Sequence, residues 1–178
     1  MSRLVADLLA LSRFDEHQDA ETVSGTFSLA PAIKDSIERL QSIAARHDVS
    51  LSLHSFEQEI EIRGNKELFL QAFHNVVKNA IYYNKKQGEV HISLETAGTR
   101  AKVLIRDTGI GIESSDLDQI FDRFYRVDKS RSRETGGSGL GLAIVQAIMT
   151  QLHGSIEIKS TINVGTVVTL TLPLSRPS

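Results

Sequence analysis

The hexapeptide Asp-Thr-Gly-Ile-Gly-Ile at residues 107–112 constrains the fold most, because it follows directly on a strand pattern. Apolar residues at 101, 103 and 105 alternate with polar or mixed ones, which predicts a half-buried strand ending in a carboxylate and two glycines. Glycine carries no side chain, so another group can approach the backbone there. Asp107, which accepts but does not donate when ionised, suits an exocyclic amine such as that of adenine. The alternative is a simple strand-ending turn.

The remaining patterns predict an α+β two-layer sandwich, in which about three helices cover a mixed, mostly antiparallel sheet of about five strands. The predicted helices span about 31–47, 66–84 and 140–152. The predicted strands span about 27–29, 49–53, 60–62, 89–95, 100–106, 155–160 and 165–172.

The N-terminal residues 1–15 carry a coiled-coil-like seam of Met1, Leu4, Leu8 and Leu11. A helix this short is unstable alone in water, so we expect it to pack on a partner helix or, as the alternative, on its own domain. Residues 16–25 are polar and lack periodicity, which predicts a linker before a domain at residues 26–174 and a tail at 175–178.

Composition excludes several classes of function. Lys and Arg number 20 against 22 Asp and Glu, so no net field favours nucleic acid or an anionic membrane. The chain has no cysteine, which excludes thiolate catalysis, disulfides and cysteine zinc sites. No apolar run approaches the roughly 20 residues that span a bilayer. We therefore expect a soluble, cytoplasmic portion of a protein.

Asn75 and Asn79 lie four residues apart, which places both carboxamides on one face of a predicted helix. Asparagine is unfavourable inside helices, so two on one stripe ask for a reason. Mg²⁺ usually takes one or two protein oxygens and completes its shell with phosphates and water. The pair therefore predicts a magnesium polyphosphate site, and the alternative is a solvated polar face.

Residues 136–145, Gly-Gly-Ser-Gly-Leu-Gly-Leu-Ala-Ile-Val, predict a helix that begins in glycines. Free N–H groups and the helix dipole make such a start an anion site, while the alternative is a flexible linker. The stretch has no G-x-G-x-x-G motif and no strand leads directly into it, which counts against a Rossmann site. The chain has no Gly-Lys pair, which excludes a Walker P-loop.

A loop of about 25 residues, 113–138, separates the two glycine segments. Loops of that length are usually lids or disordered segments, and we expect this one to be mobile without nucleotide and ordered with it. Its aromatic residues could attach it to the body, and its cations could meet phosphates, although most charged loops are only solvated. These residues are Phe121, Phe124 and Tyr125, and Arg123, Arg126, Lys129, Arg131 and Arg133.

Together these segments resemble the ATP-binding catalytic domain of two-component sensor histidine kinases, a member of the Bergerat-fold group. Residues 74–80 resemble its N box, 107–111 its G1 box, 121–126 its F box and 137–142 its G2 box, and Gly165-Thr166 matches its late Gly-Thr step. The resemblance covers residues 26–174. Four motifs in the family's order are a specific signal where each alone is weak.

The resemblance implies a kinase that transfers the γ-phosphoryl group of ATP to a histidine, with Mg²⁺ held by Asn79 and the adenine amine held by Asp107. It implies these nucleotide-binding residues: Asn75, Asn79, Tyr83, Asp107, Gly109, Gly111, Ile112, Arg126, Arg131, Gly137, Gly139, Leu140, Gly141, Leu142 and Thr166. One departure is Tyr82, where family members often carry lysine, and Lys85 or Lys86 could reach the phosphates instead.

Residues 1–15 resemble the end of the second helix of the family's dimerisation and phosphotransfer hairpin. None of the six histidines has the setting of the phosphoaccepting one, so we expect no autophosphorylation by this chain alone. The implied partners are the hairpin domain of the same or a partner chain and a response regulator. The implied parent is a membrane-anchored homodimer.

Two other functions compete with the kinase. A catalytically silent nucleotide-binding interaction module would keep the site without the chemistry. A Bergerat-fold ATPase is the other, but hydrolysing relatives carry a glutamate as general base where this chain has Asn75, which accepts no proton usefully.

Overall fold

The computed structural model describes residues 5, 7–9, 11, 12, 25–54, 59–127 and 138–175. Helical residues at 5, 7–9, 11 and 12 come first. After them the described chain forms, in order, β1 (Thr26–Ser28), α1 (Leu29–Arg46), β2 (Val49–Leu53), β3 (Glu61–Arg63), α2 (Lys66–Tyr82), β4 (Gly88–Ala97), β5 (Arg100–Asp107), α3 (Gly141–Gln151), β6 (Ser155–Thr161) and β7 (Gly165–Pro173). The predicted 16–25 linker lies, apart from Gly25, outside the described residues.

The main sheet has five strands in the order β2-β4-β5-β7-β6. β2 runs parallel to β4, and the other neighbouring pairs are antiparallel. The short strands β1 and β3 form a separate antiparallel pair. The predicted α+β sandwich is therefore confirmed, with a mostly antiparallel sheet. One boundary differs, because Leu29 begins α1 instead of extending β1.

The core lies between the helices and one face of the sheet. Ile92 on β4 is paired with Ile105 on β5, and both are fully buried, as are Phe69 and Phe73 on α2. Alternate residues of β4 and β5 face away from the core, which is the period-2 pattern that the sequence predicted. This packing leaves β5 in the middle of the sheet with its last residue, Asp107, between β4 and β7.

The start of α2 fixes which way its polar stripe faces. Asn65 is the N-cap residue, and its side-chain oxygen accepts a hydrogen bond from the N–H of Leu68 at 3.1 Å. Buried Val76 and Ala80 then hold one side of the helix against the core, and the neighbouring Asn75 and Asn79 line a cavity beside it. Across the described ranges, no helix combines the length and apolar character that crossing a bilayer requires.

Candidate functional site

A cavity of about 190 Å³ opens where α2, the end of β5 and the start of α3 meet. Most residues predicted to bind the nucleotide line it. They are Asn75, Asn79, Tyr83, Asp107, Gly111, Ile112, Arg126, Gly139, Gly141, Leu142 and Thr166. Gly109 and Leu140 do not line the cavity, and Leu140 is fully buried in the core. Arg131 and Gly137 lie outside the described residues.

Asp107 is held at the floor of the cavity by the backbone around it. Its Oδ1 accepts hydrogen bonds from the N–H of Gly109 at 2.8 Å and the N–H of Thr166 at 3.2 Å. Burial raises the pKa of the Asp107 carboxyl above its ordinary value, while these two N–H groups act in the opposite direction. Because both bonds go to Oδ1, Oδ2 is the oxygen that is presented to a ligand.

The two glycines after Asp107 allow other parts of the protein's own backbone to approach closely. A Cβ at Gly109 would lie 2.4 Å from the carbonyl oxygen of Tyr83, which accepts from the N–H of Ile110. Gly111 has φ +72°, and a Cβ there would lie 2.2 Å from the carbonyl oxygen of Thr161. The glycines therefore lock the end of β5 to α2 and to the β6–β7 turn.

One face of α2 supplies the polar wall. Asn75 and Asn79 are both partly buried and line the cavity, as their spacing predicted. Asn75 Oδ1 lies 3.9 Å from the Cβ position of Gly141, so the helix face lies directly beside the glycine start of α3. Tyr83, the C-cap residue of α2, closes this wall.

Lys78 is a lining residue that the sequence analysis missed. It follows Asn75 by three positions, so helical spacing alone could have placed it beside that residue. Burial, then Lys78, then Arg39 lower the pKa of the neighbouring His74, which places the Lys78 charge near that ring. Lys85 and Lys86 are exposed and do not line the cavity, whereas Tyr82 does.

In the described part of the 113–138 loop, the predicted attachment fails at Phe124, whereas Tyr125 lines the cavity, as Ile120 does. Ile120 is 7% exposed and lines the cavity, and the Tyr125 hydroxyl donates to Asp116 Oδ1 at 2.6 Å. Phe124 was expected to attach the loop, but its side chain is 56% exposed. Its backbone makes the attachment, since the Phe124 N–H donates to the carbonyl of Gly139 at 2.9 Å. The cations Lys129, Arg131 and Arg133 lie outside the described residues.

Arg126 lines the cavity with part of its guanidinium group unsatisfied. Its Nε and Nη2 atoms are buried, and neither has a hydrogen-bond partner among the described residues. Buried donors without partners cost free energy, and more so when they carry charge. An anion that entered the cavity would offset this cost, which makes Arg126 the clearest candidate for binding an anion among the described residues.

Replacing the Arg126 guanidinium should weaken anion binding and stabilise the fold without ligand. Arg126→Met is expected to raise the free energy of unfolding by about 1 kcal/mol, because it removes buried unpaired donors and keeps an apolar side chain of similar length. Urea unfolding without ligand measures this. Arg106→Met, at an exposed position of β5, is the control and should change little. A less stable Arg126→Met chain would show that the guanidinium is already satisfied.

The N-terminal helical residues pack on the same domain. Leu11 is 3% exposed within the core cluster, and the Ser138 hydroxyl donates to Asp7 Oδ2 at 2.8 Å. Both Asp7 and Ser138 line the cavity, which the sequence analysis did not predict. Of the predicted seam, Leu11 packs on its own domain and Leu8 stays exposed, as do the flanking Val5 and Leu9. Met1 and Leu4 lie outside the described residues.

The chain is similar to known proteins in its sequence and in its fold. The family model described as histidine kinase-, DNA gyrase B-, and HSP90-like ATPase matches residues 64–176, which is more than half of the chain. The sensor histidine kinase RppB of Synechocystis sp. is 36% identical over 174 residues, covering 98% of this chain and 38% of RppB. The chain thus spans well under half of this relative's length.

Solved structures share the fold. The mycobacterial sensor histidine kinase MprB superposes with a TM-score of 0.73 at 25% identity, covering 88% of this chain and all of that one. The histidine kinase ThkA, solved in complex with the response regulator protein TrrA, superposes with a TM-score of 0.73 at 19% identity, covering 96% of this chain and 48% of ThkA. At that identity the second likeness concerns the fold alone.

Proposed function

We propose, from the premise that this chain belongs to the histidine kinase-, DNA gyrase B-, and HSP90-like ATPase family, that it is the ATP-binding catalytic domain of a sensor histidine kinase. In this role it binds ATP and directs the γ-phosphoryl group to a histidine on a hairpin domain. Its relative RppB is named a sensor histidine kinase, and so is MprB among the solved structures.

The observation that carries the proposal is that a hydrogen-bond acceptor and a set of unpaired donors line the same cavity. Asp107 presents an acceptor oxygen from the sheet, and Arg126 presents buried donors without partners among the described residues. A nucleotide satisfies both groups. The exocyclic amine of adenine can donate to Asp107, and the phosphates of the nucleotide are anions that can accept from Arg126. Apolar lining by Ile110, Ile120 and Ile158 suits the flat faces of the base.

The residues present also fit Mg²⁺ bound through the nucleotide. No group of three or more His, Cys, Asp or Glu side chains in the described ranges is arranged to hold a metal ion. Asn79 would therefore supply a single carboxamide oxygen, with Asn75 beside it, and phosphates and water would complete the shell. The ion, when bound, neutralises charge that develops on the transferred phosphoryl group.

The chain lacks a suitable base for hydrolysis in the described lining. Asn75 cannot accept a proton usefully. The lining carboxylates in the described ranges are Asp7, which is bonded to Ser138, and Asp107, which is bonded to Gly109 and Thr166. We therefore favour transfer to a histidine over hydrolysis, and sustained release of phosphate from ATP by this chain alone would favour the ATPase alternative instead.

The magnesium role of Asn79 is tested by titration with a non-hydrolysable ATP analogue, with and without Mg²⁺. Asn79→Ala is expected to lose most of the affinity that Mg²⁺ adds, about tenfold, and to bind the metal-free analogue nearly as the parent does. Asn65→Ala, which removes the cap of the same helix outside the cavity, should cost about 1 kcal/mol of stability without this metal-dependent loss.

If Asn79→Ala lowered the affinity for the analogue equally with and without Mg²⁺, that result would contradict a metal role for Asn79. Absence of binding by the parent chain would contradict the nucleotide site itself, and the interaction-module alternative would then need a different ligand.

The proposal includes the wider system that the family resemblance implies. Residues 1–15 would be the end of the second hairpin helix, and the phosphoacceptor would come from the hairpin of the same or a partner chain in a homodimer. A response regulator would receive the phosphoryl group, as the ThkA complex with TrrA illustrates for that protein. The domain would act in the cytoplasm, with its parent protein anchored in the membrane.

A further inference from the structure

Ser160 on β6 joins three segments of the chain beside the cavity without lining it. The N–H of Ile112 donates to Ser160 Oγ at 2.8 Å, and Ser160 Oγ donates to the carbonyl of Gly165 at 3.1 Å. The Thr166 hydroxyl lies 2.8 Å from the same Ser160 oxygen. Any influence of Ser160 on a ligand must therefore pass through these neighbours.

The supply of hydrogens decides the direction of the bond between Ser160 and Thr166. A serine hydroxyl has one hydrogen and two lone pairs. Ser160 uses its hydrogen on the carbonyl of Gly165 and one lone pair on the N–H of Ile112. With the Ser160 hydrogen assigned in this way, Thr166 is the donor to the remaining lone pair. Its oxygen consequently faces a ligand with lone pairs and no hydrogen.

This direction gives the floor of the cavity a single polarity. Thr166 lines the cavity next to Asp107, because its N–H donates to Asp107 Oδ1. The carboxylate oxygen and the threonine oxygen therefore both act as acceptors. A ligand carbonyl placed there meets lone pairs alone and stays unpaired, which is costly in a buried site. A ligand amino group is satisfied.

We propose that Ser160 is a specificity-determining residue of this site. By taking the hydrogen of the Thr166 hydroxyl it keeps the cavity floor accepting, which favours purines with an amino group at C6 over purines with an oxygen there. The inference rests on the nucleotide site proposed above. Ser160 acts through Thr166 and is a positioning residue that does not touch the ligand.

The test compares two ligands that differ in the purine ring alone. The 178-residue chain is titrated with Mg²⁺ and the β,γ-imido analogues of ATP and of inosine triphosphate, which carries oxygen at C6. The parent should prefer the ATP analogue. Ser160→Ala frees the Thr166 hydrogen for the inosine oxygen, so we expect the preference to fall about tenfold. Ser160→Thr keeps a hydroxyl and should retain the preference of the parent.

A purely structural role gives a different result. If Ser160 only fastens Ile112 to the β6–β7 turn, Ser160→Ala weakens both analogues equally and leaves the preference unchanged, which overturns the inference. Ser155→Ala, at an exposed position on the same strand, is the matched control and should leave both affinities as they are.

Thr166 supplies a second, independent arm should Ser160→Ala not fold. Thr166→Val removes one acceptor and should itself lower the preference, and adding Ser160→Ala to it should change nothing more. A preference that Thr166→Val does not alter overturns the inference. A parent chain that binds both analogues equally also overturns it and leaves the nucleotide site standing, whereas a parent that binds neither overturns the proposed function.

Discussion

Asp107→Asn is expected to weaken binding of ATP about 100-fold while the chain stays folded. The carboxamide oxygen of the variant can still accept from the N–H groups of Gly109 and Thr166, which donate to Asp107 Oδ1 in the parent chain. The amide nitrogen then takes the place of Oδ2, so its N–H groups face the exocyclic amine of adenine. Two donors then meet without an acceptor between them. Losing a charged acceptor and gaining a mismatched donor costs about 3 kcal/mol. Calorimetric titration measures the change, and Asp35→Asn, at an exposed position of α1, is the charge-matched control.

The same substitution should leave stability unchanged or raise it near pH 7. Burial raises the pKa of Asp107 in the fold, so folding favours its protonated form more than the unfolded chain does. The stability that Asp107 contributes is therefore present below its unfolded pKa of about 3.8 and is lost as the pH rises through the folded pKa. Melting curves should show the variant gaining stability relative to the parent as the pH rises above the unfolded pKa of about 3.8.

The affinity for ATP should change with pH in the opposite direction to the stability, because Asp107 must be ionised to act as an acceptor. Affinity of the parent should fall on acidification at a higher pH than an exposed aspartate would give. Unchanged affinity in Asp107→Asn would show that this carboxylate does not hold the base.

Gly165→Ala should cost about 4 kcal/mol of stability and abolish nucleotide binding. Gly165 has φ +138°, and a Cβ there would lie 2.0 Å from the carbonyl oxygen of Asp107. The substitution therefore adds backbone strain to a clash between β7 and β5. Relief of that clash must move the N–H of Thr166 away from Asp107, which dismantles the floor of the cavity.

Gly98 provides the control for backbone strain alone. It has φ +57° in the turn between β4 and β5, and a Cβ there would have no neighbour within 4 Å. Gly98→Ala should cost about 1 kcal/mol and leave binding intact. Urea unfolding of the two variants separates the effects, and similar losses would show that the close approach at Gly165 is unimportant.

The sequence predicted the elements well because each has one face against the core. Periodicity of 3.6 or 2 records that face locally, so the helices and strands were found within a few residues of their observed bounds. Asn75 and Asn79 were placed correctly for the same reason, since their spacing alone puts them on one side of α2. Asp107 followed from its position directly after a strand.

Residues that depend on distant pairing could not be found in this way. Ile158 and Val168 line the cavity because β7 and β6 continue the sheet beyond β5, and no local pattern states that order. Ser160 is invisible for the same reason, because its partners are Ile112 and Thr166.

Phe124 shows the limit of reasoning from hydrophobicity. An aromatic residue in a polar loop predicted a buried anchor, but Phe124 has φ +67° and is bonded to Gly139 through its backbone, which leaves the ring exposed. The anchor is the nearby Ile120, which carries the less conspicuous side chain.

The strand order also sets when the site can exist during synthesis. β7 is the last of the seven described strands to be synthesised, yet it lies inside the sheet between β5 and β6. Until residues 165–173 emerge, the middle strand β5 has an open edge, and Asp107 lacks the N–H of Thr166. A nucleotide cannot therefore assist the earlier steps of folding, and a nascent chain halted before β7 carries an aggregation-prone edge that no amount of ATP protects.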